Sequence, residues 1–402
     1  MGALKFWKAA ILLTLLIAMV GAFVVCRSKR RELTLALGTV IFALFAGELF
    51  LWLFFPQFSD HNQLFQYDPE LGWKFIPNQR ARVVCPGEVD HQVTISSLGF
   101  RDRERDLSSK SKKRVLVLGD SFVSNVDVEA DEVFTRVMER QLANTEVLNF
   151  GVNGYGQVQE YLLLKTWFDR VNPDVVMVVI YLRNDFLDNV EPKWTYGRPF
   201  VSLEGPDSTL VFHPTLPSAL GSSNGGRAPA WKVYKRSHVW TLINQSLEDL
   251  LRGVVGDQSQ DRQAAAYTQQ ELIPYRKSPP PSTDFMFAAM TKLASMFREF
   301  SSAKAVPVVF VLAPSPVPVY DDLWLEATGK ASQDRYDRAL PNKRLMQFAD
   351  ENGLMMVDLL PAFLSEGNKS LYFRYEQHWT REGNELVARV LVEYLRAAKL
   401  AN

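Results

Sequence analysis

Cysteine is nearly absent: two residues, Cys26 and Cys85, in a chain of 402. That excludes a disulfide framework and a thiolate metal site. There is no His-x-x-x-His pair, no Cys-x-x-Cys and no carboxylate cluster of fixed spacing, so neither a metal nor a cofactor is expected. A Walker phosphate loop is missing, and Asn149–Gly156 does not fit the dinucleotide pattern Gly-x-Gly-x-x-Gly. Neither sign of charge is in excess, with 45 basic against 45 acidic residues, which leaves no nucleic-acid surface to predict. The run Gly119-Asp120-Ser121-Phe122-Val123 lacks the Gly-x-Ser-x-Gly elbow of the common α/β-hydrolases.

Long apolar runs are present, and only at the amino end. Ala9–Val25 lies near the lower limit of about 17 residues for a membrane span, and Leu33–Phe55 exceeds it. No small-x-small cleavage site follows Val25, and a second span comes at once, which points to a retained hairpin over a removed signal peptide. Arg27, Lys29, Arg30 and Arg31 fill the short link, and no Lys or Arg occurs from Glu32 to Trp73. The positive-inside rule then places the link in the cytoplasm and everything beyond Pro56 outside it, in the extracytoplasmic or periplasmic space. Cys26 and Cys85 would then lie on opposite sides and not pair. Glu48, inside the second span, is either a contact for a membrane partner or polar cavity, or a protonated or snorkelling group near the outer interface.

Three regions are expected. Residues 1–56 form two membrane helices, and residues 57–113 a β-rich lead-in and charged linker. Residues 114–402 form an α/β domain interrupted at about 191–282. In that domain, strands Val115–Leu118, Val147–Phe150, Val175–Tyr181, Val306–Leu312 and Leu354–Leu359 alternate with helices Asp131–Leu142, Gln157–Phe168, Asp284–Phe300, Arg338–Glu351 and Glu382–Ala398. Such alternation predicts a doubly wound parallel five-stranded sheet with helices on both faces. In the interruption, Ala230–Val254 has Trp, Tyr and Leu at near-helical spacing, as a lid between arms rich in Gly, Ser and Pro would.

Four positions fall where open α/β sheets place ligands, just past strands or before helices. Ser121 follows the first strand, and a serine in that place can act as a nucleophile if a base takes its proton. Gly154 follows the second and could turn a backbone N–H toward an oxyanion. Asn184 follows the third and could aim its amide at developing negative charge, an effect worth about 3 kcal/mol in acyl transfer. His378 precedes the last helix and is the natural base, because His61, His91, His213 and His238 lie outside the alternation. In extended chain, residues two apart point the same way. Glu376 is therefore expected to orient His378 as the acid of a triad. Taken singly, each of these residues is equally a turn, a cap or a solvated surface group. Their joint placement points to a site.

Gly119-Asp120-Ser121, Gly154, Asn184 and His378 resemble the four blocks of the SGNH (GDSL-type) hydrolase superfamily, over about Gly99–Ala398 without the insertion. The resemblance implies a flavodoxin-like α/β/α fold. It also implies Ser121 as nucleophile, the Ser121 N–H, Gly154 and Asn184 as the oxyanion hole, and His378 as base. Leu182 stands where the third block usually has glycine, and Tyr375 where the last usually has aspartate. Glu376-Gln377-His378-Trp379 is similar to the Asp-x-His-Trp form of envelope polysaccharide O-acetyltransferases and their SGNH relatives. The expectation is a membrane-anchored extracytoplasmic enzyme that removes or transfers an acyl group, of which acetyl is favoured, on an envelope glycan or lipid. Water or a sugar hydroxyl can resolve the same acyl-enzyme, so hydrolysis and transfer stay open. A non-catalytic membrane component is the rival.

Overall fold

Lys-Arg-Val-Leu-Val-Leu-Gly, Val-Val-Met-Val-Val-Ile-Tyr and Val-Val-Phe-Val-Leu-Ala are runs of β-branched and aliphatic residues almost wholly removed from solvent. Such runs suit strands covered on both faces. The computed structural model describes residues 30–54, 64–85, 88–190, 197–205, 208–215, 239, 271–329, 333–367, 369–374 and 376–402. The chain divides into two compact units, residues 1–59 with 227–263, and residues 60–226 with 264–402.

In the first unit, helix α1 covers Arg30–Phe54. Leu35, Ile41, Phe42 and Phe45 are all more than half exposed along it. The Glu48 carboxylate accepts a hydrogen bond from the Val239 backbone N–H at 2.9 Å. Among the described residues no helix is long and apolar enough to cross a membrane. The expected hairpin is therefore not established by the fold. Ala9–Val25, and all of the expected lid Ala230–Val254 except Val239, lie outside the described residues.

The second unit begins with two antiparallel hairpins. β1 (Phe65–Asp68) pairs with β2 (Gly72–Phe75), and β3 (Arg80–Cys85) with β4 (Val89–Thr94). Then come β5 (Lys113–Gly119), the short helix α2 (Ser121–Ser124), α3 (Phe134–Gln141), β6 (Thr145–Gly151), α4 (Gln157–Val171), β7 (Val175–Tyr181) and the single turn α5 (Asp185–Asp188). A third hairpin, β8 (Phe200–Glu204) with β9 (Thr209–His213), lies in the segment expected to be loop. After it come α6 (Pro281–Ala303), β10 (Val308–Ala313), α7 (Leu340–Asn352), β11 (Met355–Asp358) and α8 (Arg381–Ala397), with shorter helices at Pro316–Val319, Asp321–Thr328 and Leu360–Ser365.

The main sheet is parallel, in the order β11-β10-β7-β5-β6. In sequence order this is 2-1-3-4-5, the flavodoxin-like order, with its switch point between β5 and β7. Period-two alternation sorts the strands onto two cores. Leu116, Leu118, Val176, Val178, Phe310 and Leu312 face α4, α6, α7 and the lead-in hairpins. Val115, Val117, Val175, Val179, Val309 and Val311 face α3 and α8. The lead-in thus shares a core with the sheet, through Trp73, Phe75, Val83 and Val93.

The helix expected over Asp131–Leu142 is broken. A 3-10 turn at Ala130–Glu132 gives way to extended Val133, and α3 starts at Phe134. The side chain of Asn384, a distant residue on α8, accepts the Phe134 N–H at 2.9 Å. A tertiary cap thus fixes where the helix begins.

Gly151, at the end of β6, lies directly under the nucleophile segment. A Cβ there would meet the Ser124 backbone N and Val123 Cβ, each at 2.5 Å. Gly151→Ala should push α2 off the sheet, costing about 1–3 kcal/mol. A lower Tm in thermal unfolding, with Ser121 reactivity reduced as well, checks this.

Candidate active site

At the end of β5, Asp120 caps α2 by accepting the Phe122 N–H at 2.8 Å. The next residue, Ser121, therefore leaves the sheet on a short, fixed turn. Four residues later Asn125 takes the left-handed conformation, with φ of 34°. This ends α2 and turns the chain into Val126-Asp127-Val128, buried throughout.

His378 comes from the far end of the sequence, on a tight turn. Tyr372 and Trp379 form an antiparallel bridge, and the Phe373 N–H donates to the His378 carbonyl at 2.9 Å. Trp379, fully buried, stacks edge-on against Phe122 and Phe134. The result brings His378 Nε2 to 2.8 Å from Ser121 Oγ. On the other side of the ring, Nδ1 lies 2.7 Å from Asp127 Oδ2, a carboxylate with 1% of its side chain exposed. The Asn125 amide donates to the Trp379 carbonyl at 3.1 Å, tying the acid-bearing loop to the base-bearing one.

The group on Nδ1 is therefore Asp127, where Glu376 was expected. The expectation assumed extended chain, but Gln377 sits at φ of 59°, and that left-handed residue rotates Glu376 out of line with the imidazole. Glu376 donates its N–H to Glu88 at 3.3 Å, and its carboxylate faces Cys85. Burial, with Glu376 second, pushes the Cys85 thiol up to about 12. Donor atoms of Asp127, Glu376 and His378 lie within 4.8 Å of one another. With Nδ1 already against Asp127, the group is arranged to hold a proton.

Asp127 could have been suspected from the text. A lone carboxylate between two valines, six residues past the serine, has no nearby cation in sequence to excuse its burial. Arg101 supplies one in space. Its guanidinium donates to the Ser124 carbonyl at 3.0 Å, and also to the carbonyls of Asn125 and Val128. Burial lowers Arg101 to about 10, while the Asp127 charge pulls the other way. His91 touches the same loop, with Nε2 2.8 Å from the Val126 carbonyl.

Gly154 and Asn184 each lie three residues past the end of a strand, β6 and β7 respectively. Gly154 has φ of 76°, a conformation that glycine adopts without strain. The Asn184 amide donates to Asp188 Oδ2 at 2.6 Å and, more distantly, to Asp185 Oδ1 at 3.5 Å. Behind them is a buried acidic set. Burial first, then neighbouring carboxylates, raises Glu160 and Asp185 well above the usual range. Burial also raises Asp120 to about 6. Fully buried Arg198 pairs with Asp188 at 2.7 Å.

His378 shows the opposing effects clearly. Burial alone would lower it, but the Asp127 charge and hydrogen bond win, and the imidazole is held above its ordinary 6.5. NMR titration should find His378 above that value. Asp127→Asn should bring the midpoint down further than Glu376→Gln does, and the reverse order would refute the pairing.

Residues 267–402 match the family model described as "SGNH hydrolase-like domain, acetyltransferase AlgX". That domain supports an acyl-modifying activity. A search of curated proteins gave no match. Among solved structures, an acetyl xylan esterase, AlAXEase, aligns with 13% identity, 70% of this chain, 99% of its own and a TM-score of 0.37. A lipase/acylhydrolase from Enterococcus faecalis aligns with 11% identity, 72% of this chain, 97% of its own and a TM-score of 0.34. With its serine and imidazole in contact at the switch point of a five-stranded parallel sheet, and its last third matching the family model, the chain carries an SGNH hydrolase-like domain.

Proposed function

We propose that this protein is a membrane-anchored serine esterase or acyltransferase. The observation that carries the chemistry is the continuous relay Ser121 Oγ, His378 Nε2, His378 Nδ1 and Asp127, with contacts of 2.8 and 2.7 Å. Ser121 attacks an acyl carbonyl while His378 takes its proton. The imidazolium so formed is stabilised by Asp127, which also fixes the tautomer. The tetrahedral oxyanion rests on the N–H groups of Ser121 and Gly154 and on the Asn184 amide. His378 returns the proton to the leaving alkoxide as the acyl-enzyme forms. Water or a second hydroxyl then attacks by the same steps in reverse order.

Two further parts belong to this reading. The family that the last third matches is described as an acetyltransferase, which favours acetyl over longer acyl groups and a glycan or lipid of the cell envelope as its carrier. The anchor is α1, preceded by the apolar run Ala9–Val25. The support for it is the sequence, where the apolar run Leu33–Phe55 has the length that a bilayer core of roughly 30 Å requires. Its exposed Leu35, Ile41, Phe42 and Phe45 would be costly in water and are at home in lipid. The basic link before it points to an extracytoplasmic domain. Glu48, the candidate contact for a membrane partner, already accepts the Val239 N–H of the insertion.

Mass spectrometry after treatment with a 4-nitrophenyl phosphonate tests the chemistry. One adduct per chain is expected, lost in Ser121→Ala, and Asp127→Asn should slow its formation by of order 10³-fold. A folded protein that takes no adduct would favour the non-catalytic alternative. Retention of the full chain in membranes after alkaline carbonate washing tests the anchor, and its release would refute it.

A further inference from the structure

Trp73 of β2 is almost fully buried, and its indole N–H donates to the Asn153 carbonyl at 2.9 Å. Asn153 and Gly154 share one peptide, which is trans. In a planar trans peptide the C=O and N–H point opposite ways, so a bond that fixes one fixes the other. This peptide is the middle of a turn, because the Tyr155 N–H donates to the Val152 carbonyl at 3.1 Å. The φ of 76° at Gly154 is that of a type II turn. Types I and II differ by a flip of that central peptide, and glycine tolerates both. The flip would reverse the Gly154 N–H and abandon the Trp73 bond. The Tyr155 hydroxyl in turn donates to the Trp73 carbonyl at 2.6 Å, holding indole and turn together.

The other oxyanion donor leads back to the same ring. The Asn184 amide donates to Asp188 Oδ2, Asp188 Oδ1 pairs with Arg198, and the Arg198 guanidinium lies 5.7 Å from the centre of the Trp73 ring. Neighbouring Gly72 has φ of 84°, and a Cβ on it would stand 2.1 Å from the Gly197 carbonyl. Only glycine therefore lets the β1–β2 turn close against the stretch that carries Arg198.

We propose that Trp73 is a positioning residue of the oxyanion hole. By holding the Asn153–Gly154 peptide in its type II orientation, it keeps the Gly154 N–H presented to the reacting carbonyl. Through Arg198 and Asp188, it also borders the support of Asn184. This rests on the esterase reading above and deepens it. It makes the lead-in strand β2 part of the catalytic apparatus.

Trp73→Phe, in the full chain, keeps an aromatic ring but removes the N–H. With 4-nitrophenyl acetate as probe, kcat should fall about tenfold or more while KM stays within twofold. Inhibition by phenylboronic acid, whose adduct mimics the tetrahedral intermediate, should weaken in the same proportion. A role confined to folding would instead lower Tm and leave the link between kcat and boronate affinity unmoved. If Trp73→Phe does not fold, the benzothienyl analogue of tryptophan at position 73, isosteric but without the N–H, gives the same readout. Active wild type with variants equally active and equally inhibited overturns this inference alone. A wild type inert to both acetate and boronate overturns the esterase reading and this inference together.

Discussion

An imidazole can pass a proton from serine to a leaving group only if both of its nitrogens are held at once. In this protein the two contacts on His378 come from one short stretch, Ser121 on Nε2 and Asp127 on Nδ1, only six residues apart. That economy sets the shape of the loop between them. Asp120 must cap α2, and Asn125 must take a left-handed turn, for the chain to double back with Asp127 beside the ring. Asn125 then spends its amide on the carbonyl of Trp379, next to His378 itself. Acid, base and nucleophile are thus tied by the backbone as much as by their own side chains.

Buried charge around this relay is offset piece by piece. Asp127 is almost wholly removed from water, which is costly for a carboxylate unless hydrogen bonds and opposite charge compensate. Arg101 reaches the same loop, spending its donors on three carbonyls and lending Asp127 a positive neighbour. On the other side of the serine, Asp120, Glu160 and Asp185 are all pushed upward by burial and mutual repulsion. The two acidic groups thus play different parts. Asp127 faces the base, whereas burial pushes the carboxyls behind Ser121 upward.

Arg101, His91, Glu88 and Trp73 all belong to the lead-in, and each meets a loop of the site. Glu88 accepts the backbone N–H groups of Arg374 and Glu376, so the β3–β4 turn holds the His378 loop from outside. A segment that reads as an accessory therefore shares both the core and the active site of the α/β unit.

The parallel sheet was legible because its strands are continuous apolar runs, and burial on both faces demands that pattern whatever surrounds them. Val175–Tyr181 was bounded to the residue for this reason. Ser121 and His378, which the fold brings into contact, were legible because strand ends are where such a sheet exposes its loops. The identity of the acid was not, since one residue's φ decided it. With Gln377 left-handed, the near neighbour Glu376 turns aside, and Asp127, 251 positions from the histidine, takes its place. The hairpins β1–β2 and β8–β9 were hidden in turn-rich text, and the start of α3 was set by Asn384 from across the fold. Periodicity and burial are properties of a local string, and the sequence carries them by itself. Which carboxylate meets which imidazole, and which indole pins which peptide, depends on chain separations that only the folded structure closes.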